Sequence, residues 1–373
     1  MSEKKIVIVG GGLAGLVTSI HLRRAGLTCH LIEKRSYPFH RVCGEYISNE
    51  VIPYLKSLGI DTEELRPSHI NEFQLTSING KSALMPLDLG GFGVSRYKLD
   101  HFLFQRATQL GVEFSLDTEC EKISFHKDHF VVKTSRTEEA ATMVVGSFGK
   151  RSKLDGQLNR SFLRKRSPYV GVKYHIRMKD FPDHRIALHN FQDGYCGISR
   201  VEDDLVNLCY LTHRKNVKAN GSIRAMEEAV LFQNPFLKQI FEEAEFLFSK
   251  PETISEISFE TKAPVEQHIL MAGDAAGMIT PLCGNGMAMA IHSAKILSEH
   301  ILRFYLEEHY ERARLEMDYS NAWSRLFARR LWAGRQIQRL FGDVWTSNLA
   351  VNLARHTPPV ANFLMKKTHG EPF

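Results

Sequence analysis

The sequence predicts a mixed α/β chain, α+β when taken whole. A parallel sheet is assembled from non-contiguous segments, an antiparallel sheet is inserted into it, and a helical region closes the C-terminus. Three observations carry this. Residues Lys5 to Val9 form a β-branched run that breaks at three glycines and passes into a helix, the pattern of a strand buried on both faces. From Tyr169 to Tyr210 the pattern changes to alternating short strands with turn signals at Asp193-Gly194 and Asp203-Asp204. Beyond Gly286 the chain is helical and, further on, rich in arginine.

Composition bounds the class. The 373 residues are 43% hydrophobic and 24% charged, enough apolar material for a large core of two or three units. The net charge of +6 leans basic and fits a phosphate-bearing ligand or an anionic surface. Six cysteines (Cys29, Cys43, Cys120, Cys196, Cys209, Cys283) are scattered with no CxxC pair, so no zinc or disulfide framework is readable and no metal site is expected. The N-terminus reads as neither a secretory signal nor a membrane span. The expectation is a cytoplasmic protein, with a peripheral membrane contact left open. Nothing reads as a nucleic-acid motif.

The elements follow in order. A strand at 5–9, a helix from Leu13 to Ala25 stopped by Gly26, and a strand from Thr28 to Glu33 make a βαβ beginning. A helix from about Leu99 to Leu110 closes at Gly111, and strands are expected at 113–116, 130–134 and 143–145. Residues 223–248 read as helical with a break near Pro235, Ile269 to Ala272 as a strand, and Gly286 to about Tyr305 as a long helix. Helix continues to about Leu353.

The strongest motif is Val9-Gly10-Gly11-Gly12-Leu13-Ala14-Gly15, which leaves a strand and opens a helix, with an acid, Glu33, 18 residues after Gly15. Gly10 permits the tight turn, Gly12 lets the backbone approach a pyrophosphate, and Gly15 allows the helix to pack on the strand. The helix N-terminus offers free N–H groups to the anion, and Glu33 would accept hydrogen bonds from a ribose. This Rossmann-like fingerprint alone does not separate FAD from NAD.

Other segments do. Gly273-Asp274-Ala275-Ala276-Gly277, followed by Pro281-Leu282-Cys283-Gly284-Asn285-Gly286-Met287, resembles the GDAAG and PxxGxGM segments of the FAD-dependent group that includes aromatic hydroxylases, flavin halogenases and geranylgeranyl reductases. Ser95-Arg96-Tyr97-Lys98-Leu99-Asp100 resembles that group's RxxLD step, and Arg41-Val42-Cys43-Gly44-Glu45 resembles the K/RxCGE/D segment of its geranylgeranyl reductase branch. The resemblance runs from residue 5 to about residue 300 and implies FAD as cofactor. It implies a flavin contact set of Gly10, Gly12, Leu13, Ala14, Gly15, Glu33, Lys34, Arg41, Cys43, Gly44, Arg96, Gly273, Asp274, Gly284, Asn285, Gly286 and Met287. It gives Asp274 to the ribityl chain and the helix after Gly284 to the flavin pyrimidine ring, where a positive helix end stabilises a reduced flavin. Cys43 and Tyr195 are the candidate catalytic residues. Alternative readings stand beside these: Arg96 as a surface helix cap, and Cys43 as a small packing residue. The expected division is FAD-binding at 1–68, 92–160 and 263–302, substrate-binding at 69–91 and 161–262, and helical at 303–373.

The chain departs from the group in three places. Phe148 stands where relatives carry an aspartate, which counts against direct use of NAD(P)H, so NAD(P)H, another reductant or an electron-donor protein all remain as donors. Lys150 and Arg151 beside it read as a solvated basic turn or as a phosphate contact. In Gly194-Tyr195-Cys196-Gly197-Ile198-Ser199-Arg200 the tyrosine is kept, while Gly197 and Arg200 replace a tryptophan and a proline. That counts against halogenation and opens volume beside the flavin. The arginine-rich tail between Tyr310 and Gly342 (Arg312, Arg314, Arg325, Arg329, Arg330, Arg335, Arg339, with Trp323, Phe327, Leu331, Trp332 and Leu340) reads as a helix packed on the core in preference to one lying on a membrane. The leading expectation is a reductase that saturates carbon–carbon double bonds of a lipophilic, isoprenoid-like substrate. A monooxygenase acting on an aromatic or polyketide-like substrate is the alternative, and a non-catalytic FAD-binding protein the third reading.

Overall fold

A computed structural model describes residues 5–165, 167–280, 284–338, 342–357 and 370–373. Pro281, Leu282 and Cys283 of the glycine-rich segment, and Arg339 and Leu340 of the tail, lie outside the described residues.

Strand Ile6–Val9 is fully enclosed because its β-branched side chains have partners on both faces. It pairs in parallel with Cys29–Ile32 on one side and Met143–Gly146 on the other. Glu113–Ser115 extends the sheet beyond Cys29–Ile32, and Ile269–Met271 beyond Met143–Gly146, with Val265–Glu266 as an antiparallel edge. Helix Leu13–Arg24 covers one face, packed against helix Arg96–Gln109 and the long helix Gly286–Leu306. The Arg96 helix starts three residues earlier than the apolar pattern indicates, because Ser95 caps it: its hydroxyl accepts from Lys98 N at 3.1 Å. That arrangement removes the capping role from Arg96.

A second, nine-stranded sheet holds the expected hairpins Tyr169–Arg177, Arg185–Phe191, Gly194–Arg200 and Val206–His213. It also holds the long strands Ser68–Thr76 and Ser82–Gly93, which alternation alone did not reveal. The sheet is antiparallel except where Ser68–Thr76 runs parallel to Arg185–Phe191, the seam between two parts of the chain far apart in sequence. One face buries Val172, Tyr174, Leu208 and Ile198 against helices Ile223–Val230 and Pro235–Glu243. The opposite face looks toward the parallel sheet. The helical expectation for 223–248 holds in two pieces and fails at its end, where Glu245–Phe246 pairs as a strand with the end of Tyr169–Arg177. A small three-stranded sheet, Cys120–His126, His129–Thr134 and Glu138–Ala141, completes the β-structure.

Helix Arg312–Gln338 lays Leu315, Tyr319, Trp323, Phe327 and Leu331 into the core beside helix Gly286–Leu306, so its apolar face is packed. Helix Val344–His356 follows and lies over the strands Ser68–Thr76 and Ser82–Gly93.

The seat of the first helix on its strand depends on one close approach: a methyl at Gly15 would overlap the Gly10 carbonyl oxygen and sit 2.7 Å from Ser147 Oγ. Gly15→Ala is therefore expected to cost about 1–3 kcal/mol, read as a lowered urea midpoint at unchanged slope. Gly44→Ala, with nothing within 4 Å of the added methyl, should leave the midpoint where it is.

Candidate functional site

The two sheets face each other across one cavity of about 1210 Å³. Its first end is the glycine turn. Gly10 has φ +108°, a region that side chains strain to adopt, and its N–H donates to Ile32 O at 2.8 Å. Gly12 caps helix Leu13–Arg24 with no side-chain cap over it and no acid in the first turn, so the first amides face the cavity as an anion seat. Beside Gly12 there is room: the atom nearest to an added methyl is Arg96 Nη2 at 3.8 Å. Glu33 is buried, accepts from Gly11 N at 2.7 Å and Arg35 N at 3.2 Å, and still borders the cavity next to Lys34. A carboxylate has about four acceptor positions, so those bonds leave capacity for a ribose hydroxyl. Leu13 and Ala14 border this end, and Gly15 stands behind it.

Two arginines converge next to the turn. Arg96 forks onto Asp100 (Nε and Nη2, both 2.7 Å), and Arg41 donates to the same carboxylate at 3.0 Å while lying 4.4 Å over the Phe39 ring. Asp100 is 1% exposed, so this pairing is desolvated and fixes both guanidinium groups at the cavity wall.

Cys43 and Gly44 stand at the middle of the cavity, on a loop held from beneath by Glu45. The Glu45 side chain is fully buried; it accepts from Lys173 Nζ at 2.5 Å, meets His175 Nε2 at 2.7 Å, and accepts from Arg96 N at 2.8 Å. Lys173 also donates to Arg41 O at 3.2 Å, and Asn207 Nδ2 donates to Cys43 O at 3.1 Å. Glu45 itself sits at φ +54°, a strained conformation costing about 1–2 kcal/mol that these bonds offset. Burial pushes the Cys43 thiol above its ordinary pKa, with Arg96 opposing, so the group stays protonated at neutral pH. Burial also lowers the pKa of His40, which stacks on Tyr97 and meets the edge of His175.

The turn Gly273–Ala275 forms the far wall of the cofactor end. Two buried cations hold its carbonyls: Lys262 donates to Asp274 O and to Lys150 O, both at 2.7 Å, and Arg160 donates to Ala275 O at 2.8 Å. Burial raises the Asp274 pKa against the pull of Lys262, Arg96 and Lys150, and burial pushes Lys262 down to about 8. Gly284, Gly286 and Met287 bring the start of helix Gly286–Leu306 to the cavity, with no side-chain cap among the described residues. Asn285 is the exception in this segment: it is fully buried, it does not border the cavity, and its side chain lies close enough to the Glu50 carboxyl to pull that group's pKa down against burial. Phe148 borders the cavity beside the glycine turn. Lys150 reaches Ser255 O and Arg151 pairs with Glu256 at 2.8 Å, which ties this basic turn to the strand Glu252–Ser255.

The second end is apolar. Strands Ser68–Thr76, Ser82–Gly93, Arg185–Phe191 and Gly194–Arg200 contribute Phe73, Leu75, Met85 and Leu188 to its wall, and helix Val344–His356 contributes Leu349 and Leu353. Among the described residues, no charged side chain from these five elements borders the cavity. Tyr195 belongs to this end, clustered with Leu75, Leu188 and Leu211, two residues along its strand from Gly197. A methyl at Gly197 would meet only Cys209 O, at 3.7 Å, so the open volume anticipated there exists. Sequence reasoning missed Lys173, His175, Lys262 and Arg160, which reach the site as supports, and held Asp100 only as the last residue of the RxxLD step. Among the described residues, no group of three or more His, Cys, Asp or Glu is arranged to hold a metal ion.

A parallel sheet with this glycine turn, an acid at the end of its second strand and a second helix N-terminus across the cavity defines an FAD-dependent oxidoreductase. The chain belongs to the family described as "FAD binding domain", which matches residues 3–321. It is similar, at 22% identity over 86% of this chain and 68% of the other, to conditioned medium factor receptor 1 of Dictyostelium discoideum. It is similar, at 23% identity over 96% of each chain, to a digeranylgeranylglycerophospholipid reductase of Methanococcus vannielii. Among solved structures, a geranylgeranyl bacteriochlorophyll reductase-like protein of Thermoplasma acidophilum superposes with a TM-score of 0.79 at 15% identity, covering 99% of this chain and 96% of that one. The flavin-dependent halogenase CmlS superposes with a TM-score of 0.78 at 18% identity, covering 93% and 68%. At these identities the structural likenesses establish the fold.

The clamp on Glu45 has a pH signature. Burial raises the carboxyl's pKa, but Lys173 and His175 together hold it below its ordinary 4.5. A depressed folded-state value means the stability it contributes is in place above about pH 4.5 and is lost as pH falls through the folded value. Glu45→Gln, which strands the Lys173 ammonium, should lower unfolding free energy by about 3–5 kcal/mol at pH 7, with the gap to wild type narrowing below pH 4.5 in paired denaturant titrations.

Proposed function

We propose that the chain is an FAD-dependent reductase that saturates carbon–carbon double bonds of a lipophilic, isoprenoid-like substrate. The observation that carries this reading is the continuity of the cavity: a polar cofactor end, a half-buried thiol at the junction, and an apolar end to which its strands and closing helix bring no charged side chain. An uncharged chamber favours a long apolar body over an ionised one, since an unpaired charge placed there would lose its hydration. The similarity to a digeranylgeranylglycerophospholipid reductase over nearly the whole chain supports the same class.

Bound FAD supplies hydride chemistry from a reduced nicotinamide or another reductant. The chain's residues do the rest. Gly10, Gly12 and the first turn of helix Leu13–Arg24 seat the pyrophosphate, Glu33 takes the ribose, and Asp274 takes the ribityl hydroxyls. The apolar walls align the double bond and exclude water. Saturation adds a hydride to one carbon and a proton to the other. The Cys43 thiol, kept protonated by burial, is the group placed to give that proton, leaving a thiolate beside the Arg96 guanidinium. Tyr195 orients the chain in the chamber.

The test reduces the FAD-loaded protein chemically and offers it a polyprenyl lipid and a panel of aromatics, with and without air, reading product mass. A gain of two hydrogens per double bond without oxygen is expected. A gain of one oxygen atom, only in air, would make the protein a monooxygenase instead. Cys43→Ala should keep its bound FAD and lose about 10²–10⁴-fold in saturation rate. Gly197→Trp, which fills the open volume, should keep activity on short prenyl substrates and lose it on long ones, measured as the change in kcat/KM with chain length.

A further inference from the structure

Helix Val344–His356 is both an inner wall and an outer surface. Thr346, Leu349, Ala350 and Leu353 border the apolar chamber, yet Leu349 is 49% exposed and Trp345, one turn before it, is 70% exposed. The helix therefore stands at the chamber's mouth. Trp332, 60% exposed, lies on the helix before it, so two of the chain's three tryptophans point to solvent although nearby Trp323 shows that the core has room for this residue type.

The charge around these tryptophans is one-sided. Between Tyr319 and His356 the sequence holds six arginines and a single acid, Asp343. That acid is occupied as a helix cap, accepting from Trp345 N and Thr346 N at 2.9 and 3.2 Å. Arg330 turns inward to Glu50, at 3.7 Å. Arg325 and Arg329 are exposed and form no ion pair among the described residues. With Trp332 they fall at i, i+4 and i+7, one stripe opposite the packed face that holds Trp323, Phe327 and Leu331.

Exposed tryptophan and leucine beside unpaired arginines match the chemistry of a lipid–water boundary, where indole rings settle at headgroup level and arginines are drawn to anionic headgroups. No described helix is long and apolar enough to cross a membrane, so the contact would lie in the interface plane. We infer that helix Val344–His356, with the Arg325–Arg329–Trp332 stripe, docks on an anionic lipid surface and admits the substrate's apolar chain directly from that surface into the chamber. The inference rests on the lipophilic-substrate reading, but its docking step is testable without it.

The experiment floats the full-length, FAD-loaded protein with vesicles of phosphatidylcholine alone or mixed with phosphatidylglycerol, at low and high salt. Wild type should float with the anionic vesicles at low salt only. Arg325→Gln/Arg329→Gln and Trp332→Ser/Trp345→Ser should each weaken that binding by at least about tenfold, with FAD content and detergent-phase activity on a short soluble prenyl substrate unchanged. Absence of flotation, or flotation untouched by both pairs, overturns the inference. So does a shift from dimer to monomer in Trp345→Ser, which would assign the surface to a second copy of the chain. Surface-dependent flotation without any saturation would keep the docking surface and remove the reductase reading. Saturation without flotation would do the reverse.

Discussion

The buried carboxylate of Glu45 is the point on which the two halves of this molecule are joined. One oxygen takes the Lys173 ammonium and the first amide of helix Arg96–Gln109, and the other meets the His175 ring. Lys173 and His175 belong to the antiparallel sheet, the helix to the parallel layer, and Glu45 to the loop carrying Cys43. A buried charge pair of this kind is a poor source of net stability, because desolvation takes back much of the Coulomb gain. Its effect here is placement. Neither sheet can shift against the other without stranding a charge in the interior, so the thiol, Arg96 and the chamber wall keep one arrangement.

The cavity divides because one sheet face changes character along its strands. On Tyr169–Arg177 and Val206–His213 the face toward the cofactor end bears Lys173, His175, Asn207 and Cys209; further along and across Gly194–Arg200 it bears Leu211, Tyr195 and Gly197. The reverse face is largely apolar, with Val172, Tyr174, Ile198 and Leu208 packed under helices, and its polar members are bonded: Tyr174 and Tyr210 donate to Glu227 at 2.9 and 2.7 Å. The same strands thus hold the loop that presents the thiol and wall the space beyond it.

Much of this was legible in the residues. The βαβ opening, the glycine turn with Glu33, the Asp274 segment and the long helix after it stand where local pattern placed them, because each is written in one short stretch. Contacts made at a distance were not legible. Strands Ser68–Thr76 and Ser82–Gly93 mix buried and exposed positions irregularly, and their pairing shifts register between Ile70 and Glu72, so period-two alternation is blurred. Lys173 and His175 alternate with Val172, Tyr174 and Ile176, which reads as a half-solvated strand, yet both are buried by a loop 130 residues earlier. Asn285 sits within the glycine-rich motif and so reads as a cofactor contact, although its side chain turns to Glu50, on a different element.

The order in which the parallel sheet is strung along the chain governs how the protein can be made. Its strands come from residues 6–9, 29–32, 113–115, 143–146 and 269–271, and the last follows every strand of the nine-stranded sheet. At about 5–20 residues per second, translation leaves the first strand waiting roughly 10–50 s for the segment that carries Asp274. During that interval the nascent βαβ unit has a glycine turn but no opposing wall. The cofactor end therefore gains its second wall only after the whole nine-stranded sheet has been made, so the two walls meet across a pocket whose apolar strands are already on the chain.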